Sequence, residues 1–328
     1  MKEILNQLFE HRALNYEQAK EVLTEIGEGK YNASQVTAFL SAYQMRSITV
    51  QELSGFRDAL LDLSLAVDLS NFDAIDLCGT GGDRKNTFNI STLASFVVAG
   101  AGVKVSKHGN YGVSSGCGSS NVMEYFGYQF TNDESELQKQ IDRAGICFLH
   151  APLFHPAMKF VAPIRRELGI KTFFNMLGPM VNPSKPKKQI VGVYSLELAR
   201  LYNYLFQQKD LNYYILHSLD GYDEISLTGD FKVISNKREQ ILSPEGIQLN
   251  TLSPNEIDGG NTVEEAAKIF MSVLKNEMSN AQKQVVIANA GFAIHCAKPA
   301  LSLQDIFQMA DQSIASGKAL QSFKRLIK

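Results

Sequence analysis

Residues 76–92 read Asp-Leu-Cys-Gly-Thr-Gly-Gly-Asp-Arg-Lys-Asn-Thr-Phe-Asn-Ile-Ser-Thr, three glycines between an apolar β-prone stretch and an apolar helical one. A chain that passes from strand to helix through such a turn is committed locally to a strand–loop–helix unit. Gly79, Gly81 and Gly82 reach backbone conformations closed to other residues and let the chain approach an anion closely. The unpaired N–H groups at the start of the following helix, where Asn89, Ser91 and Thr92 stand as capping residues, supply donors. The pattern predicts a phosphate site.

Two textures flank this loop. The first seventy residues carry helical periodicity, with capping-box spacing at Asn15/Gln18, Asn32/Gln35 and Thr49/Glu52, and predict a small all-helical bundle. From residue 74 short β-prone segments at 74–77, 103–106, 146–149, 189–194 and 213–217 alternate with helical stretches. The expected class is therefore α/β: a small all-helical domain over 1–70, and a larger domain over 71–328 with a mostly parallel central sheet flanked by helices. Prolines 152, 156, 163, 179 and 183 punctuate a further helical stretch, part of which (155–180) is expected to join the bundle. No internal repeat or low-complexity tract interrupts the pattern.

Composition narrows the partners. Net charge is −2, so no global field favours nucleic acid or an anionic membrane surface, and an anionic ligand has to be held locally. Cys78, Cys117, Cys147 and Cys296 are widely spaced without a Cys-x-x-Cys, against a disulfide framework or zinc site and for a reduced, cytoplasmic setting. Glu3, Asn6, Gln7 and Glu10 stand where a signal peptide needs apolar residues, and the apolar run at 96–103 is too short to span a bilayer.

In open parallel sheets ligands sit beyond the carboxyl ends of the strands, and three motifs fall there. The first is the Gly79 loop. Its Gly-x-Gly-Gly spacing, with no acidic residue about twenty positions on, is neither a dinucleotide fingerprint nor a Gly-x-x-x-x-Gly-Lys-Ser/Thr loop. Its bland alternative is a tight strand-to-helix turn, the lesser of the two readings. The second runs from Lys107 through His108, Gly109, Asn110, Tyr111, Gly112, Val113, Ser114, Ser115, Gly116, Cys117 and Gly118 to Ser119 and Ser120. It offers a cation, hydroxyls and backbone donors to a polyphosphate, or is a flexible Gly/Ser connection. The third is Asp223-Glu224 after Asp220-Gly221, oxygen ligands suited to Mg²⁺ if placed at the sheet edge and a solvated turn otherwise. Arg165 is a candidate carboxylate clamp, whereas Arg166 is read as a surface residue. His108, inside the second loop, is a better ligand contact than His155, which precedes Pro156. No Ser-His-Asp or Cys-His set supports a covalent acyl intermediate.

Taken in order, Gly-Thr-Gly-Gly-Asp at 79–83, Asn-Thr-Phe-Asn-Ile-Ser-Thr at 86–92, Lys-His-Gly-Asn at 107–110 and Asp223-Glu224 resemble the anthranilate phosphoribosyltransferase family. His155-Pro156-Ala157-Met158, the segment 164–169 and Asn175-Met176-Leu177-Gly178-Pro179 extend the resemblance over most of the chain. It implies a nucleoside phosphorylase/phosphoribosyltransferase-like fold, usually dimeric through the helical domain. It also implies transfer of the phosphoribosyl group of 5-phosphoribosyl 1-diphosphate to anthranilate, with Mg²⁺, in tryptophan biosynthesis. By the family's pattern Gly79, Gly82, Asp83, Thr87, Asn89, Ile90, Ser91, Thr92, residues 107–115 and Ser119 contact the donor. Ser91, Asp223 and Glu224 match the metal ligands, Asn110 and Arg165 the anthranilate contacts, and Lys107, His108, Asp223 and Glu224 are the expected catalytic set. Tyr111 and Gly116 depart from the pattern, which usually has an arginine and a lysine there; Arg84, where glycine is common, is a candidate replacement cation. The competing expectations are a pyrimidine nucleoside phosphorylase of the same fold and a non-catalytic, nucleic-acid-binding paralogue.

Overall fold

A computed structural model describes residues 1–112 and 117–328. The chain divides into two compact units, Met1–Val67 with Ala151–Lys185, and Asp68–His150 with Pro186–Lys328.

The first unit is helical: Lys2–Phe9, Tyr16–Gly27, Ala33–Ala42 and Val50–Asp62, joined by the short helix Ala162–Leu168. All three capping boxes form. Asn15 Oδ1 accepts from Gln18 N at 2.9 Å, Asn32 Oδ1 from Gln35 N at 3.0 Å and Thr49 Oγ1 from Glu52 N at 3.2 Å, each satisfying a donor that a helix start leaves open. The proline-punctuated segment belongs to this unit along its whole length, so the α/β unit is made of two stretches rather than a single 71–328 one. Burial explains the assignment: Phe173 stacks on Phe56 at 4.5 Å and meets Phe39 and Tyr43 edge-on, sealing the bundle's aromatic core.

The second unit contains one seven-stranded sheet, in the order β3-β2-β1-β4-β5-β6-β7. Strands β1 (Ile75–Gly79), β2 (Val105–Gly109), β3 (Ile146–His150), β4 (Lys188–Gly192) and β5 (Asn212–Ser218) are parallel. They sit at the five predicted places and are buried along most of their length, as strands covered on both faces must be. β6 (Phe231–Ser235) and β7 (Glu239–Leu242) form an antiparallel hairpin at one edge. Helix Asn280–Ala297 is buried along nearly its whole length and packs on helix Ile90–Gly100 and on β4 and β5. The chain runs outward from β1 to β2 and β3, then returns to place β4 on the other side of β1. That reversal makes the crevice above β1 and β4 the topological switch point, the place where such sheets bind ligands. No helix among the described residues is long and apolar enough to cross a membrane.

Candidate active site

β1 and β4 both end in glycine, and the two are paired in register, Gly79 opposite Gly192. The segment after β5 lies directly on this pair. A Cβ on Gly192 would overlap the Asp223 carbonyl oxygen and stand 2.6 Å from its carbon, and one on Gly79 would stand 3.2 Å from Asp223 Cγ. Neither glycine needs a left-handed backbone; both are needed to let another chain segment come close. The left-handed positions are Gly81 (φ 62°) and Gly82 (φ 81°), which turn the loop so that Gly81 N–H donates to Asp223 Oδ2 at 2.7 Å. The next carboxylate caps a helix: Ser91 N–H, at the start of Ile90–Gly100, donates to Glu224 Oε1 at 3.2 Å. An anion at that end is favoured by the helix dipole.

The expected capping by Asn89 does not occur. Its side chain makes no cap hydrogen bond; instead Nδ2 donates to Cys117 O at 3.0 Å and ties the first loop to the second. With Glu224 taking the free amide, Asn89 is released for that bridge.

The two carboxyl groups are out of water, and both are held above the usual carboxylate range. Asp223 is pushed up to about 8, first by burial and then by repulsion from Asp83; Glu224 is raised by burial and by Asp223. Glu224 Oε2 is buried with no hydrogen-bond partner. Lys107, fully buried on β2, donates from Nζ to Leu77 O at 2.6 Å and to Ser91 Oγ at 3.4 Å. Burial lowers its pKa, and the Asp76 carboxylate beneath opposes that shift. The same Asp76 accepts His108 N–H at 3.1 Å, so a buried carboxylate fixes the His108 backbone next to Lys107.

The neck of the second loop is closed by its own hydrogen bonds. Asn121 Oδ1 accepts from both Gly112 N and Gly118 N at 3.0 Å, and Asn110 O accepts from Ser120 N at 3.1 Å and Ser119 Oγ at 3.2 Å. Gly109 lies against the Phe148 ring, with no room for a side chain. Tyr111 turns its ring edge to His150, 5.0 Å between centroids, with its hydroxyl 3.4 Å from Glu124. Val113, Ser114, Ser115 and Gly116 lie outside the described residues.

Of the remaining expected residues, Asp83 Oδ1 accepts Lys85 N–H at 3.0 Å, and Thr87 bridges to Asp258. Ile90 and Thr92 are buried in the helix start. Lys85 Nζ rides 4.6 Å above the Tyr222 ring, beside the acid pair. Arg165 lies in the helical unit. Its Nη2 donates to Asn175 Oδ1 at 3.1 Å, its guanidinium sits 5.4 Å from the Phe174 centroid and its Nε is buried without a partner.

Two further residues, outside the sequence motifs, shape the site. Gly192 ends an apolar strand, and Asn289 is the lone polar residue in the apolar run 285–294. Both signals were in the sequence; only the returning segment gives them meaning. Among the described residues no group of three or more His, Cys, Asp or Glu forms a metal cage. A Mg²⁺ site needs none, because that ion takes one or two carboxylates and completes its shell with waters and substrate phosphates.

Residues 71–320 match the family model of the glycosyl transferase family, a/b domain, and residues 2–64 that of the glycosyl transferase family, helical bundle domain. Among curated proteins the anthranilate phosphoribosyltransferase of Cytophaga hutchinsonii is 58% identical over 328 residues, covering 100% of both chains. That of Flavobacterium psychrophilum is 60% identical over 326 residues, covering 99% of this chain and 98% of the relative. The solved anthranilate phosphoribosyltransferase of Thermus thermophilus superposes with a TM-score of 0.89 at 31% identity, covering 98% of each chain. The Saccharomyces cerevisiae enzyme in complex with PRPP and Mg superposes with a TM-score of 0.91 at 28% identity, covering 98% of this chain and 95% of that one. Likeness that runs the full length in sequence and in fold leaves one assignment: the chain belongs to the anthranilate phosphoribosyltransferase family.

Proposed function

We propose that this chain transfers the 5-phosphoribosyl group of 5-phosphoribosyl 1-diphosphate to anthranilate, giving N-(5-phosphoribosyl)anthranilate and diphosphate, as its family membership implies. The observation that carries the proposal is the acid pair at the β1/β4 switch point, bound to the amides of a glycine loop and a helix start.

The donor set fits Mg²⁺. Two buried carboxyl groups near a third, Asp83, with one orphaned oxygen, call for a cation, and Asp223, Glu224 and the Ser91 hydroxyl would hold it. When bound, the metal neutralises charge on the departing diphosphate. The chain's own residues do the rest. Gly79, Gly82, Asp83, Thr87, residues 89–92, Ser119 and the 107–115 loop bind the donor in the crevice. Buried Lys107, held by Leu77 O, supplies positive charge under the loops, and Asp76 fixes the backbone of His108. Arg84 and Lys85 add cations on the first loop, where Tyr111 offers none in the second.

Arg165 takes the anthranilate carboxylate, with Asn110 as the second acceptor contact. A partly buried guanidinium, its pKa lowered by burial and without a carboxylate partner, is suited to bind one. The acceptor's aromatic amine is neutral near pH 7, so its nitrogen attacks the ribose C1 as the C1–O bond breaks, the diphosphate leaves with the bonding pair, the surplus N–H proton passes to solvent, and positioning carries much of the rate. A cytoplasmic homodimer through the helical unit completes the proposal, and sedimentation equilibrium tests that last part.

The assay follows loss of anthranilate fluorescence with donor and Mg²⁺, against an EDTA control. Metal-dependent loss with stoichiometric diphosphate release is expected. No turnover, with phosphate-dependent cleavage of a pyrimidine nucleoside instead, would replace the proposal with the phosphorylase reading.

A further inference from the structure

We propose that Asn289, on helix Asn280–Ala297, is a positioning residue for the acid pair: it sets the aim of Asp223 and Glu224, and thereby metal affinity, without touching the metal. The inference rests on the metal site proposed above and extends it to a helix outside the motif loops.

The geometry is a two-point clamp on the backbone of one residue. Ile225, immediately after Glu224, donates its N–H to Asn289 Oδ1 at 3.1 Å, and its carbonyl accepts from Asn289 Nδ2 at 2.9 Å. The second Nδ2 hydrogen goes to Val285 O at 2.9 Å, one turn back on the same helix. That third bond fixes the amide's rotation, so both grips on Ile225 have a defined direction. Asn289 is buried within the otherwise apolar run 285–294 of its helix, a costly place for an amide unless its bonds are made. Two further contacts hold the same few atoms. Ser218 Oγ, at the end of β5, donates to Glu224 O at 2.7 Å, and Gly192 lets the Asp223 carbonyl rest on β4. The backbone of 223–225 is therefore held by a helix, β5 and β4, while the two carboxylates remain directed at the Gly79 loop and the helix start. Asn289 also lines the small cavity, about 20 Å³, that Leu77, Cys78, Ser91, Asp223 and Glu224 share.

The clamp satisfies buried backbone and, because it falls on the residue next to Glu224, also fixes where that side chain leaves the chain. Outer-shell hydrogen bonds of this kind typically change metal affinity by about 10- to 100-fold when removed. Ligand carboxylates need their supporting shell to be held tightly.

The test uses the full chain with Mn²⁺ as the probe ion, its free concentration read by electron paramagnetic resonance in the presence of 5-phosphoribosyl 1-diphosphate, with melting temperature measured in parallel. Asn289→Ala is expected to raise the Mn²⁺ dissociation constant about 10-fold or more. Ile294→Ala, a core truncation on the same helix, is expected to lower the melting temperature yet leave Mn²⁺ affinity within about twofold. Should Asn289→Ala fail to fold, Ser218→Ala removes the neighbouring grip on Glu224 with a smaller change and is expected to weaken Mn²⁺ about threefold or more. Unchanged Mn²⁺ affinity in the foldable clamp variants, or an equal loss in Ile294→Ala, overturns the assignment. A parent protein that binds no Mn²⁺ with donor would refute the metal site itself, and the clamp with it.

Discussion

Replacing Gly192 by alanine tests the site at the point where the sheet meets the acid pair. The added Cβ would stand 2.6 Å from the Asp223 carbonyl carbon, where ordinary contact begins at 3.4 Å, and would overlap the carbonyl oxygen. The obstacle is backbone, so no side-chain rotation relieves it. The 223–224 segment has to withdraw by at least 0.8 Å (3.4 − 2.6), and by more to clear the oxygen. A shift of 0.8 Å along the bond takes Gly81 N to Asp223 Oδ2 from 2.7 to 3.5 Å (2.7 + 0.8), beyond an effective hydrogen bond. Bonds to charged groups are worth about 1.5–3 kcal/mol, so losing one costs roughly tenfold or more in binding of metal and donor together. Gly79→Ala sets its Cβ against the Asp223 carboxylate itself, the group that accepts from Gly81 N–H, and is expected to weaken binding of metal and donor as well. Calorimetric titration of donor at fixed Mg²⁺, with circular dichroism to establish folding, measures both. A folded Gly192→Ala that binds donor and Mg²⁺ within twofold of the parent would refute the path assigned to residues 222–225.

Arg165→Ala should raise the anthranilate KM at least tenfold with the donor KM little changed; steady-state kinetics with an unaltered anthranilate KM would remove it from the acceptor site. Lys85→Ala, which takes away the amine above Tyr222, should weaken donor binding about threefold or more in low salt and less in high salt, while Lys85→Arg restores it; salt-independent binding would place Lys85 outside the donor field. His155 is held down to about 4 by burial, so the native state resists its protonation. A depressed histidine gives stability that is complete above its ordinary 6.5 and lost as pH falls from 6.5 to 4, up to about 3 kcal/mol. Denaturant melts over that window should show this loss and should flatten in His155→Gln; an identical pH slope in the variant would refute the assignment.

The parallel strands were legible because each contains a short β-prone segment set between helical stretches, and glycine loops leave their mark in local sequence. The β6–β7 hairpin is less legible: Phe-Lys-Val-Ile-Ser breaks alternation at Val233-Ile234, and Asn236-Lys237 is a weak turn signal without glycine. Asn89 illustrates a different limit. Its place before a helix predicts a cap, and only the arrival of Glu224, 135 positions later (224 − 89), shows that the amide is taken and the side chain free to bridge loops.

Gly192 and Asn289 carry the same lesson further. A glycine at a strand end and an asparagine in an apolar helix have many local explanations, and periodicity cannot choose among them. What selects one is a contact across the fold: Asp223 resting on β4, and Ile225 gripped from helix Asn280–Ala297. The residues that touch a ligand cluster in motifs, since loops at strand ends must present several donors together. The residues that aim those ligands lie wherever the sheet and its helices bring backbone close to the site, so they are scattered in sequence. Substitutions that preserve every motif and alter only Gly192 or Asn289 should therefore separate metal affinity from fold stability, whereas substitutions in the motifs change contact and aim together.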